Sequence, residues 1–421
     1  MKTLKFKDGI NFNFIEDGKF KTAALTVNFL RPLNKDEVTF NSLIPSVVRR
    51  GSQNYPDTLS LNRYLDSLYG ADFTSGIRKN GETQIITFSF KTVSDKYAQN
   101  CRPFSKLIEL MGEVLFNPLV KDGGFDRDFT EREKENLSQL IESVINDKRE
   151  YAKKRLIEEM YKNSPYGIFE YGYISDLEKI DGKNLYEHYL KVISQSRIEV
   201  FVTGAFDKEE VTEELKKVFE KITVVPIKLS GPERDIFNKD INYIYETAPV
   251  TQGKLSMGFK TNITANDPDY FAILAANNLF GGSVHSKLFL NVREKLSLAY
   301  YAGSSYSSFK GFINVNCGIE CDKFDVTVKE VFNQLEDMKQ GKFTKEELEF
   351  TKFSLTTTYQ SSGDSMGALE DYYLSQKILG TENTIDSCIK KINEVTKEEV
   401  IEAIRKAKPD TVFFLKGGAA L

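Results

Sequence analysis

Val200-Phe201-Val202 ends an apolar run just before Gly204, and Val412-Phe413-Phe414 repeats it 212 positions later (412 − 200). Phe129-Thr130-Glu131-Arg132 is matched by Phe343-Thr344-Lys345-Glu346 at an offset of 214 (343 − 129). Working outward, Lys254 to Phe259 answers a strand near Thr22, and Ser286 to Lys295 answers a helix at Leu59. Gly311 to Gly318 answers a strand at Thr83. Several elements in one order at nearly one offset mark a tandem duplication of a unit of about 200 residues, within the usual size of a domain.

Each half opens on strands. Leu4-Lys5-Phe6-Lys7 and Asn11-Phe12-Asn13-Phe14-Ile15 flank Asp8-Gly9, which is hairpin chemistry. Lys21 to Leu30 and Thr83 to Thr92 read as strands, as does Ile198 to Thr203. Thr39 to Arg49, Leu59 to Leu68, Phe104 to Phe116 and a long stretch from Asp128 to Tyr161 have helical spacing, with Pro45 inside the first. The fold class expected is α+β: two related units, each a mixed or antiparallel sheet with helices packed on one face. Residues 1–222 form the first domain and 241–421 the second. The linker, 223–240, holds Pro226, Gly231 and Pro232.

Composition narrows the function. The 57 basic and 61 acidic side chains leave a net charge of −4, so no basic face for nucleic acid is indicated. Apolar runs stay far below the ~18 residues a membrane span needs, no secretory signal is visible at Met1, and four cysteines do not suggest a disulfide scaffold. A cytoplasmic protein is expected. The two histidines, His188 and His285, lie on different halves, so no histidine pair exists at helical spacing. Cys317 and Cys321, four apart on a predicted strand, share a face but lack two further ligands, and read as core thiols. His188 reads as helix surface or packing. His285, just after Gly281-Gly282-Ser283, reads as a solvated or capping residue, with contact to a bound peptide as the alternative.

Three stretches carry a resemblance that covers nearly the whole chain. They are Leu65-Asp66-Ser67-Leu68-Tyr69-Gly70-Ala71, the glycine turn Gly281-Gly282-Ser283, and Leu288-Phe289-Leu290-Asn291-Val292-Arg293-Glu294-Lys295-Leu296-Ser297-Leu298-Ala299-Tyr300. The last resembles the second-domain signature of the pitrilysin/insulinase-like zinc metallopeptidases, in which an arginine precedes a tyrosine by seven residues. The chain most resembles the short two-domain, mitochondrial-processing-peptidase-like members of YmfF type, usually considered beside a catalytic sister chain.

The resemblance also implies a loss. Active members carry His-x-x-Glu-His on a first-domain helix, binding zinc through two histidines on one face with the glutamate as general base. Aligned on Gly51-Ser52, the two histidines and the base fall on Ser42, Ser46 and Pro45, and the distal glutamate ligand near Leu140. Serine is a poor zinc ligand, and proline accepts no proton. Glu133 matches a second acidic residue of the family but would have no metal to support. No metal or other cofactor is expected in this chain. The resemblance assigns Arg293 to orienting a peptide backbone and Tyr300 to hydrogen-bonding the oxyanion of a scissile carbonyl, with Tyr301 a rival for that role. It implies a non-catalytic subunit that binds peptide and completes, in trans, the active site of a homologous zinc-bearing partner. The alternative is a degenerate peptide-binding or scaffold protein.

Overall fold

A computed structural model of the chain describes residues 1–99, 101–229, 231, 234 and 236–418. Asp8-Gly9 reverses the chain with Gly9 at φ +74°, so β1 (Lys2–Lys7) pairs antiparallel with β2 (Ile10–Glu16). There follow β3 (Thr22–Pro32), α1 (Val38–Val48), α2 (Thr58–Ser67), β4 (Asp72–Asn80), β5 (Thr83–Val93) and α3 (Pro103–Phe116). A small ribbon of β6 (Val120–Lys121) and β7 (Gly124–Phe125) leads into α4 (Arg127–Asn146) and α5 (Lys148–Met160). The short α6 (Ile174–Leu177), then α7 (Gly182–Gln195), β8 (Arg197–Gly204) and α8 (Lys208–Phe219) complete the first half.

The second half begins with β9 (Asn242–Ala248), β10 (Gly253–Lys260) and α9 (Tyr270–Asn277). Two π-helical stretches, Asn278–Gly282 and Leu288–Lys295, precede β11 (Ala299–Ser307) and β12 (Phe312–Ile319). The remainder is α10 (Phe324–Lys339), α11 (Lys345–Ser362), α12 (Met366–Leu379), α13 (Ile385–Glu394), α14 (Lys397–Arg405) and β13 (Lys408–Gly417).

The duplication is visible in the two sheets. The first runs β4-β5-β3-β8-β2-β1 and the second β11-β12-β10-β13-β9. Strand for strand, β4 corresponds to β11, β5 to β12, β3 to β10, β8 to β13 and β2 to β9. In both sheets the corresponding pair, β2–β8 or β9–β13, is parallel and the other pairings are antiparallel. The mixed sheets expected from sequence are therefore present in both halves. β1 has no counterpart among the described residues of the second sheet.

Contacts divide the chain into two compact units: Met1–Glu142 with Ile168–Ser230, and Ser143–Gly167 with Gly231–Leu421. Residues 143–167, placed by sequence within a first domain of 1–222, thus belong to the second unit. The physical reason is apolar. Ala152 and Leu156 of α5 bury against Phe413 and Leu415 of β13, and Gly258 of β10 has no side chain, which leaves room for the Met160 sulfur. Arg155 and Tyr151 both bond the Glu246 carboxylate of β9, each at 2.7 Å. Of the expected linker, Ser230, Pro232, Glu233 and Asp235 lie outside the described residues. Val225 and Ile227 donate backbone hydrogen bonds to the Ser194 and Gln195 carbonyls.

The long helix expected over Asp128 to Tyr161 is two helices. Asp147 stands between them, and its carboxylate accepts from the Arg149 and Glu150 amides as the N-cap of α5. Cys321, expected on a strand with Cys317, lies beyond the end of β12 in a 3₁₀ turn, where its sulfur accepts from the Gly417 amide. Cys317 is wholly buried in the core of the second unit, and burial pushes its thiol up to about 12.

Candidate functional site

In the first unit, α1, which carries the positions that the resemblance assigns to the zinc motif, packs over β4 and β5. Ser42 is buried there, and its hydroxyl is within 2.9 Å of both the Val38 and Glu170 carbonyls. Gln84 projects from β5 into the same place and is wholly buried. Its amide nitrogen bonds the Glu170 carbonyl at 2.7 Å, the Val38 carbonyl at 3.2 Å and the Ser42 hydroxyl at 3.3 Å. Its oxygen accepts from the Asn41 amide at 2.8 Å.

That bond orients Asn41, whose oxygen faces His188 Nε2 at 2.8 Å, so the imidazole donates through Nε2. Burial is the main force holding His188 down to about 4, opposed by Glu37 and assisted by Arg31 and Lys191. His188 is therefore a buried member of a hydrogen-bonded network.

Pro45 sits within α1, has no amide hydrogen to give Asn41, and presents its carbonyl to the Ser75 hydroxyl at 2.9 Å. Ser46, one residue on, is partly buried. Leu140 lies on the exposed side of α4. Glu133, one of the buried residues of α4, forms an ion pair with Arg50, and its other oxygen accepts from Asn136 at 3.1 Å. The carboxylate is thus balanced by a guanidinium. Among the described residues no group of three or more His, Cys, Asp or Glu side chains is placed to hold a metal ion. Zinc does not fit what is here, since the donor atoms near Ser42 are already spent on one another and none is an imidazole pair.

In the second unit the glycine turn and the arginine–tyrosine stretch come together around β11. Gly281 approaches this strand so closely that a Cβ would lie 2.6 Å from the Ser304 hydroxyl oxygen and 2.7 Å from the Ser304 amide nitrogen, so only glycine serves there. Leu288 and Val292 bury the inner side of the following π-helical stretch, while Lys287 at its start binds both Glu347 oxygens at 2.7 and 2.9 Å.

Arg293, next to buried Val292, is directed outward. Its guanidinium lies 4.6 Å from the Phe289 ring centroid, and Nε stands 3.5 Å from Glu294. Ser297 turns the chain at φ +49°, and β11 begins two residues later. Tyr300 occupies a bulge: Ala299 faces Ile319 and Tyr301 faces Gly318, with Tyr300 unpaired between them. Bulges re-aim a side chain, and Tyr300 is 61% exposed.

Tyr301 is packed down. It covers Gly318, where a Cβ would lie 2.3 Å from its ring, and Arg149 stacks on it at 4.6 Å. Desolvation raises its hydroxyl to about 12, against the opposing pull of Arg149. His285 is exposed and meets the Phe350 ring edge-on at 4.4 Å.

Two features went unseen in the sequence: the Gln84–Asn41–His188 network and the stacking of Arg149 on Tyr301. Both join residues far apart in the chain. The only local signal was a polar residue at an inward position, Asn41 in a helix and Gln84 in a strand.

Residues 179–355 match the family model described as the peptidase M16 inactive domain. The chain belongs to the M16 metallopeptidase family, the pitrilysin/insulinase-like peptidases. It is 36% identical over 412 residues to the probable inactive metalloprotease YmfF of Bacillus subtilis, covering 97% of this chain and 96% of that protein. A conserved protein from Enterococcus faecalis V583 has the same fold at a TM-score of 0.93, with 31% identity over 99% of this chain and 98% of that one. The beta subunit of the mitochondrial-processing peptidase of Saccharomyces cerevisiae is 22% identical over 317 residues, 70% of this chain and 66% of that protein. The chain is an inactive homologue within this metallopeptidase family.

Proposed function

We propose that the chain is the non-catalytic subunit of a two-chain peptidase, binding peptide and completing the active site of a homologous zinc-bearing partner. The observation that carries this reading is a contrast between the two units. Ser42, at the first position of the zinc motif, is buried and hydrogen-bonded to the Glu170 carbonyl and to Gln84, whereas Tyr300 is exposed at a bulge and Arg293 is directed outward. The resemblance to a peptidase subunit supports a multichain assembly. In such a complex Arg293 would steady the peptide backbone, and the Tyr300 hydroxyl would donate to the oxyanion as charge develops on the scissile carbonyl. A neutral donor placed where charge appears lowers the barrier more than it strengthens substrate binding.

The test is co-expression with a related chain that retains His-x-x-Glu-His, followed by measurement of peptide cleavage. Tyr300→Phe should lower kcat on the order of 10²-fold, and Arg293→Ala should act mainly on KM. Unchanged cleavage by an intact complex carrying Tyr300→Phe would remove the trans-completion role.

The contact of Arg293 with Glu294 and Phe289 favours a second reading, a peptide-binding or scaffold protein without a part in hydrolysis. Under that reading neither substitution alters turnover.

A further inference from the structure

A pocket of about 300 Å³ opens on the face of the second sheet that carries α5, between the start of that helix and β11–β12. Its wall is formed by Arg149, Glu150 and Lys153 of α5, by Gly281 and Gly303, and by Ser304, Ser305 and Asn316. The register explains why these groups converge. Gly303 lies opposite Asn316 and Ser305 opposite Asn314, so all four belong to one face, continuous with Tyr301 opposite Gly318. Gly303 contributes no side chain and keeps the space open.

Two cations, Arg149 and Lys153, and one carboxylate, Glu150, line this space together with hydroxyl and amide groups. Asn314 is 3% exposed, and its amide nitrogen has no hydrogen-bond partner among the described residues. A buried donor left without a partner costs free energy, and Asn314 lies on the same sheet face as Ser305 and Asn316 of the wall. Asn316 accepts from Ser256 through its oxygen at 2.5 Å, which leaves its amide hydrogens to be given elsewhere. Arg149 has no carboxylate within ion-pair distance among the described residues, and stacking on Tyr301 holds its guanidinium plane in place. Lys153 is loosely paired with Glu150, at 3.7 Å.

We propose that this pocket binds a carboxylate carried by a peptide, with Arg149 as the fork and the Ser305 hydroxyl and Asn316 amide as neutral donors. A planar guanidinium grips a carboxylate through two parallel hydrogen bonds. The carboxylate comes either from a free C-terminus or from an acidic side chain. The proposal rests on the peptide-binding part of the reading above and not on the zinc-bearing partner.

Calorimetric titration of the full chain with three short peptides tests it. One has blocked termini and a central glutamate, one has glutamine in its place, and one has a free C-terminal carboxylate but no acidic side chain. At least one carboxylate-bearing peptide should bind tenfold or more tightly than the glutamine peptide, and which one does so identifies the source. Arg149→Ala, at an exposed position, should abolish that preference, and Lys153→Ala should weaken it. If the glutamine peptide binds equally well, peptide binding stands and the carboxylate pocket falls. If no peptide binds saturably, or if Arg149→Ala keeps the preference, the proposal is overturned.

Discussion

Gln84 occupies a core position on β5 where the alternation of the strand calls for an apolar side chain, and the cost of its polar atoms is met entirely by neighbours. It satisfies Asn41, Ser42 and the Val38 and Glu170 carbonyls at once. Gln84→Leu would strip those groups of their partner, with a loss of about 1–3 kcal/mol per buried group left unsatisfied, read from urea unfolding. His188 belongs to the same network, and its titration has a definite sign. Its folded value of about 4 lies below the ordinary 6.5, so at intermediate pH the unfolded chain binds more protons than the folded one. The stability this group contributes is complete above pH 6.5 and is lost as pH falls toward 4. Unfolding midpoints of the wild-type chain should fall across that window by more than those of His188→Gln. The absence of a zinc motif was legible from two histidines in the whole sequence. What stands in its place was not, because Gln84, Glu170 and His188 reach Ser42 and Asn41 only through the fold.

At the scale of elements, the break between α4 and α5 shows how one side chain redirects a segment. Helical spacing runs continuously from Asp128 to Tyr161, and periodicity alone gives no reason to stop. Asp147 supplies that reason by accepting from two amides of the next helix, which frees α5 to take its own direction. Asp147→Ala should cost ~1 kcal/mol, the usual value of an N-cap, measurable by thermal or urea unfolding. The bulge at Tyr300 is a second local device. The sequence left Tyr300 and Tyr301 as rivals, since one step along a strand reverses the face. The unpaired register position exposes Tyr300, whereas Gly318 receives the ring of Tyr301. That outcome depended on a glycine of the neighbouring strand, which no local pattern in Leu298-Ala299-Tyr300-Tyr301 reveals.

For the molecule as a whole, the compact units do not follow the midpoint of the duplication. Leu156 lies in the first half of the sequence and is wholly buried with Phe413 and Leu415 of the second unit. Leu156→Ala should therefore destabilise the second unit by about 2–5 kcal/mol. A fragment beginning at residue 231 should bind a hydrophobic dye that the full chain excludes, because it lacks the α5 cover of β10 and β13. The repeat itself, the strand-first order of each half and the absence of a His-x-x-Glu-His motif follow from the sequence alone. They reside in residue identity and spacing, which survive without coordinates. The partner of each polar side chain around Ser42, which of Tyr300 and Tyr301 is exposed and the assignment of α5 to the second unit were decided by tertiary structure. Each depends on which distant surface offers a matching shape, acceptor or empty space, and chain order does not encode that locally.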